Sequence, residues 1–183
     1  TINEKQQSIW IAQREGRAKD SNDRTQESLL KMFNMCGDGT FAENLSKLNI
    51  CPLSISYEYD PCDFLKAKEF QQKRDNPEHR KHPMDDLINM QTGVMGYKGK
   101  VVYTMTNDIS EEIKEMEKSS ESRNEVIAKT AALIDKKIHS CYEIYTVNKI
   151  AYDLLNHSYK FVKPHFLHWK KMGYKKSPVQ IHP

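Results

Sequence analysis

The residues best equipped for chemistry lie in one short stretch. Arg14, Arg17, Lys19 and Arg24 stand close together, with Glu15 and Gly16 between the first two. Cationic groups crowded in this way form an anion site: a guanidinium offers paired donors that match a phosphate, and an ammonium adds a point charge. A solvated loop whose cations pair with Glu15, Asp20 and Asp23 is the other reading of the same charges. Composition alone leaves both open.

Other chemistry is sparse. Cys36, Cys51, Cys62 and Cys141 contain no Cys-x-x-Cys pair, so the spacing of a thiolate metal site is absent, and reduced cysteines in a cytosolic compartment are the simplest account. His165 and His168 share a helix face near the end of the chain, yet no cysteine or carboxylate stands at a fitting offset, and no metal is assigned. Glu58, Asp60 and Asp63 follow an apolar run and precede a helical one. Carboxylates so placed serve acid–base work or, more simply, cap and solvate.

The elements that must position the cationic cluster can be read from periodicity. Ile9, Trp10, Ile11 and Ala12 predict a short buried strand that empties into the Gly16 loop, and a helix follows from Thr25, with Leu29, Met32 and Phe33 on one core-facing side to about Met35. Strand, glycine-containing loop and helix in that order are how open α/β sheets present ligand groups at strand carboxyl ends. Residues 41–48 predict a short helix or turn. Leu53, Ile55 and Tyr57 alternate in the strand period, a helix follows over 64–72, and another over 84–91 packs through Leu87, Ile88 and Met90. A hairpin is expected next, residues 94–97 and 101–105 flanking Lys98, Gly99 and Lys100. A polar stretch to Ser122 reads as partly mobile, then helices run from Arg123 and over 144–155. The tail from Phe161 mixes Phe166, Trp169 and Met172 with lysines, a pattern that suits an anionic membrane surface or a terminal helix packed by its aromatics. The expected class is α/β, a mixed sheet with flanking helices, as residues 1–121 with a helical, basic extension over 122–183.

Charge and length narrow the function classes. The 183 residues carry 28 Lys and Arg against 25 Asp and Glu, a formal charge of +3. That balance does not call for nucleic acid, although Phe161, His165, Trp169 and Tyr174 would be the aromatics to serve it. No run approaches the roughly 18 apolar residues of a membrane helix, and no signal-peptide pattern opens the chain. A soluble or peripherally bound protein on the cytoplasmic side is expected.

Taken together, these motifs resemble the glycerolipid acyltransferases that act on glycerol-3-phosphate or lysophosphatidic acid. The family's third block is a strand ending in Glu-Gly-Thr-Arg or a variant, and Ile9 through Arg14, Glu15, Gly16 and Arg17 is similar to it with the threonine absent. Its fourth block is a strand beginning with an apolar residue and proline, which Ile50, Cys51, Pro52, Leu53, Ser54, Ile55, Ser56 and Tyr57 resemble; residues 99–109 resemble the hairpin strand that follows. The resemblance implies acyl transfer from acyl-coenzyme A or acyl carrier protein to a glycerolipid hydroxyl, with no cofactor beyond that thioester donor. Within it Glu15 belongs to the catalytic centre, orienting an arginine or bonding the glycerol hydroxyls. Glu15, Gly16 and Arg17 hold the substrate, Gly16 letting the backbone turn tightly beside the phosphate. Arg14 and Lys19 join them from charge and adjacency. The family's His-x4-Asp block, which supplies the base, is not found before Ile9, and none of the seven histidines has an aspartate at the fifth position after it. The chain is therefore expected to be the C-terminal part of a larger enzyme, whose exposed sheet edges invite pairing into a homodimer. A non-enzymatic lipid- or anion-binding module is the alternative.

Overall fold

The computed structural model describes Lys5, residues 7–13 and residues 24–161. Among them the elements run α1 (Glu27–Phe33), a 3-10 turn (Asn34–Cys36), α2 (Phe41–Ser46), β1 (Leu53–Tyr57), α3 (Asp63–Asp75), α4 (Pro83–Met95), β2 (Val101–Met105), α5 (Ser110–Ser119), α6 (Arg123–Ser140) and α7 (Thr146–Leu155). The fold is a mixed α/β one in which helices flank a two-stranded antiparallel sheet. Backbone bonds from Thr106 N–H to Pro52 O (2.9 Å) and from Glu58 N–H to Lys100 O (2.9 Å) fix the register at its two ends. The chain divides into two compact units, residues 1–55 with 103–142 and residues 56–102 with 143–183.

The first unit holds the hydrophobic core. On α6, Val126, Ile127, Thr130, Ala131, Ile134 and Ile138 recur at helical spacing and are buried. The Thr130 hydroxyl, fully enclosed, donates to Val126 O at 2.8 Å and so leaves no unmet polar group. Leu30 of α1, Phe41, Ala42 and Leu45 of α2, and Ile109 and Ile113 complete the cluster. Each fully buried leucine or isoleucine contributes about 1.5–3 kcal/mol. Glu117 of α5 reaches the α2 N-terminus, accepting from Thr40 Oγ1 (2.7 Å) and Ala42 N (3.1 Å), where a carboxylate meets orphan donors and the positive end of the helix dipole.

The second unit is organised by polar contacts. Tyr145 is buried, and its hydroxyl donates to Ser56 O (3.3 Å); the Ser56 hydroxyl accepts from Glu143 N (3.0 Å). Burial, reinforced by the charges of Glu143 and Glu58, raises the Tyr145 phenol above its usual range. Asp153, 1% exposed, accepts from Ser158 Oγ, Lys160 N (3.0 Å) and Phe161 N (2.5 Å), which folds the segment after α7 back on its last turn. Gly99 sits at φ +61° between the two lysines of the turn into β2. A Cβ there would come within 2.5 Å of the Glu58 carboxylate that accepts from Lys100 N, so glycine is required on both counts.

Several expectations are corrected. Residues 9–12 form no strand: β1 pairs only with β2 among the described residues, and without a ladder neighbour this run stays irregular, with Ile9, Trp10 and Ile11 exposed. The hairpin arm over 94–97 is instead the end of α4. Pro83 at the first helical position, with His82 Nδ1 accepting from Met84 N and the Asp85 carboxylate accepting from His82 N, starts a helix that runs on through Met95. Leu87, Ile88 and Met90 are exposed rather than packed, as are Met32 and Met35, while Phe33 does pack against the core. The polar stretch after Asn107 is the ordered helix α5, pinned by Lys137 to Glu112 at 2.9 Å and by Lys114 to Glu111 at 2.7 Å.

The helices expected over 25–35, 41–48, 64–72 and from Arg123 are present within a few residues, as is the strand over 53–57. Glu58, Asp60 and Asp63 make local structural bonds, accepting from Lys100 N (2.9 Å), Cys62 N (2.9 Å) and Phe64 N (2.5 Å); the helix N-cap is Cys62, which has no side-chain cap bond, so the capping expected of these carboxylates is not formed. All but the first residue of the basic tail lies outside the described residues.

Candidate functional site

A groove of about 1160 Å³ opens in the first unit. One wall is the irregular segment 7–13, including Ile9, Trp10 and Ile11. The other walls come from Leu29, Leu30 and Phe33 of α1, residues 48–53 leading into β1 together with Ile55, Met105 of β2, and Ile134, Ile138 and Tyr142 at the end of α6. The α-helical walls follow from local sequence: Leu29 and Phe33, and Ile134 and Ile138, stand four residues apart and so stack along one side of their helices. Among the described residues its lining is mainly aliphatic and aromatic, and contains no histidine, aspartate or glutamate. The groove is therefore suited to hold an apolar chain, and the Cys51 thiol and the Tyr142 phenol are the titratable groups among its described lining.

Its polar rim is built at the point where the charged stretch leaves and rejoins the described chain. Gln13 and Thr25 both line the groove. Gln26 N–H donates to Gln13 O at 3.0 Å, so the residues on either side of 14–25 are joined at the groove. Thr25 is buried, and both its N–H (2.8 Å) and its hydroxyl (2.7 Å) donate to Asp135 Oδ1 on α6. One carboxylate oxygen thus fastens the start of α1 to the helix that forms the groove floor. Hydrogen bonds to an ionised acceptor are among the stronger ones, worth about 1.5–3 kcal/mol.

Arg14, Glu15, Gly16, Arg17 and Lys19 all lie outside the described residues, and the structure describes only their two flanks. Sequence reasoning missed the groove itself. Leu29 and Phe33 read as core-facing because periodicity marks a buried side but not what lies against it. The Thr25–Asp135 link spans 110 positions and carries no local signal.

Elsewhere, Lys137 lowers the Glu112 carboxyl by hydrogen bonding, and Lys129 does the same to Glu125. Neither carboxylate lines the groove. Among the described residues no three His, Cys, Asp or Glu side chains cluster to hold a metal, and the four cysteines are free thiols. No described helix is long and apolar enough to cross a membrane. Comparisons with protein-family models, with characterised proteins and with solved structures found no match.

Proposed function

We propose that this chain is the substrate-binding part of a glycerolipid acyltransferase, taking an acyl group from acyl-coenzyme A or acyl carrier protein to a hydroxyl of glycerol phosphate or lysophosphatidate at the cytoplasmic side of a membrane. The observation that carries the reading is the junction at Gln13: an apolar groove ends where the sequence turns into Arg14, Glu15, Gly16 and Arg17. An amphiphile with one long apolar chain and one anionic head needs those two environments side by side. The groove volume stands just above the roughly 300–1,000 Å³ usual for small-molecule sites, as a long chain requires.

In the proposed reaction the acceptor hydroxyl attacks the thioester carbonyl, a base takes its proton, and the tetrahedral intermediate expels the thiol. A hydroxyl is a weak nucleophile at neutral pH, so the base is indispensable. No His-x4-Asp pair occurs in these 183 residues, and on this reading they do not supply that base. Their part is to hold the phosphate by Arg17, aided by Arg14 and Lys19, with Glu15 fixing an arginine or a glycerol hydroxyl in place. Positioning of this kind lowers the barrier by converting an encounter into a pre-aligned attack.

The test is acceptor-dependent thiol release by the full gene product with an acyl thioester and either glycerol-3-phosphate or lysophosphatidate. Release is expected with one of them. Arg17→Ala should reduce kcat/KM by about 10- to 100-fold, the loss of one bidentate charge-assisted contact, and the 183-residue chain alone should show no turnover. An Arg17→Ala enzyme with wild-type rate and acceptor affinity would sink the assignment. Ligand binding without release from either acceptor would favour a lipid- or anion-binding module.

A further inference from the structure

Thr25 stands at the start of α1, where a threonine commonly caps its own helix. Here it does not. Gln26 is the N-cap, and no side-chain bond closes the first turn. The Thr25 hydroxyl and N–H both turn away to Asp135 Oδ1, at 2.7 and 2.8 Å, across 110 positions of sequence.

The pair secures the closure of a loop. Gln26 N–H bonds Gln13 O at 3.0 Å, which brings residues 13 and 26 together, with Thr25 beside the junction. Closing a loop of about fourteen residues costs conformational entropy, and one backbone bond offsets little of it. Two further bonds to a single carboxylate oxygen tie the junction to α6, a helix seated in the core through Ile134 and Ile138.

The position of Asp135 decides which end of a ligand it serves. Its neighbour Ile134 lines the groove, whereas Asp135 is not part of the described lining, so it does not touch an apolar chain held there. A carboxylate also repels an anionic head, and gains nothing by meeting one directly. What it holds is Thr25, at the rim where the cationic stretch rejoins the described chain.

We propose, on the reading of groove and cationic stretch as one site for one amphiphile, that Asp135 is the positioning residue for the anionic end. By holding Thr25 it fixes where the segment after Gln13 returns to the groove, and so where the cations of that segment meet the phosphate.

Isothermal titration of the whole chain with decanoyl lysophosphatidate and with monodecanoylglycerol, both below micelle-forming concentrations, tests this through the ratio of the two dissociation constants. Partial unfolding of a variant weakens both ligands alike and leaves the ratio unmoved, so the ratio separates positioning from stability. Wild type is expected to prefer the phosphorylated ligand about tenfold, and Asp135→Ala to bring the ratio to about one. Thr25→Val keeps the N–H bond and loses the hydroxyl bond, and should lower the ratio to about threefold. Thr25→Ser keeps both bonds and should hold the wild-type ratio; the two Thr25 variants decide the matter if Asp135→Ala fails to fold. A wild-type preference that persists undiminished in Asp135→Ala or in Thr25→Val overturns the proposal and leaves the amphiphile site standing. A loss in Thr25→Ser as large as in Thr25→Val assigns the effect to packing and overturns it too. No preference in wild type overturns the amphiphile site, and the proposal with it.

Discussion

The two compact units use their apolar residues in opposite ways. In residues 1–55 with 103–142, Leu30, Leu45, Ile109, Ile113 and Ile127 are at most 1% exposed and belong to one core. Among the described residues of 56–102 with 143–183 the buried side chains are Ser56, Cys62, Tyr145 and Asp153, while the aliphatic and methionine residues of α4 are exposed. Hydrophobic burial is non-directional and roughly proportional to area, so it stabilises the first unit outright. The second depends on directional bonds to a few enclosed polar groups, and the apolar side chains of α4 remain exposed.

The largest expected effect separates the units directly. Leu30→Ala should cost about 2–5 kcal/mol by urea unfolding, the loss of a buried leucine plus the cavity it leaves. Leu87→Ala should fall within about 0.5 kcal/mol of wild type. Equal costs would break the comparison. Next comes Asp153→Ala, expected to cost about 1–3 kcal/mol because two backbone N–H groups and a hydroxyl lose their shared acceptor. Its signature is early protease cleavage after α7 with the first unit intact; a uniform loss across both units would argue that they are one cooperative body.

The smallest effect is a pH dependence within the first unit. The folded-state pKa of Glu112 is lowered by its bond to Lys137, so its contribution is present above the usual carboxylate range and is lost as pH falls through the depressed folded value. Both side chains are about one-third exposed, and solvent screening keeps the contribution small. A comparison of Tm against pH for wild type and Glu112→Gln should show the curves separated at pH 7 and converging in acid. Parallel curves would remove this pair from the account.

What could be read from the sequence follows from how local each signal is. The α6 stripe of Val126, Ile127, Ala131, Ile134 and Ile138 states its period within one helix, and Leu53, Ile55 and Tyr57 state theirs within five residues. Both elements are present as expected. Ile9, Trp10 and Ile11 have strand composition, but a strand exists only with a ladder partner, and that information is not local. The apolar residues around Val94 are open to a hairpin until the start signals at the other end of the helix, Pro83 and the His82–Asp85 pair, are given their weight. Leu87, Ile88 and Met90 show a period without showing which side is buried. The cationic stretch reads as an anion site from residue types alone, and it lies outside the described residues. The groove that its flanks line required Thr25 to meet Asp135, which only the folded chain reveals.

The central claim is that groove and cationic stretch form one site for one amphiphile. Trp10 lines the groove at 70% exposure, and Trp169 is the other tryptophan, so a Trp169→Phe chain reports on Trp10 alone. The decisive measurement is its emission during titration with decanoyl lysophosphatidate and, separately, with monodecanoylglycerol, both kept below micelle-forming concentrations. The account predicts a blue shift with each ligand and about tenfold tighter binding of the phosphorylated one, a difference of about 1.4 kcal/mol that Arg17→Ala abolishes. Unshifted emission, or equal affinities that Arg17→Ala leaves unchanged, would contradict it.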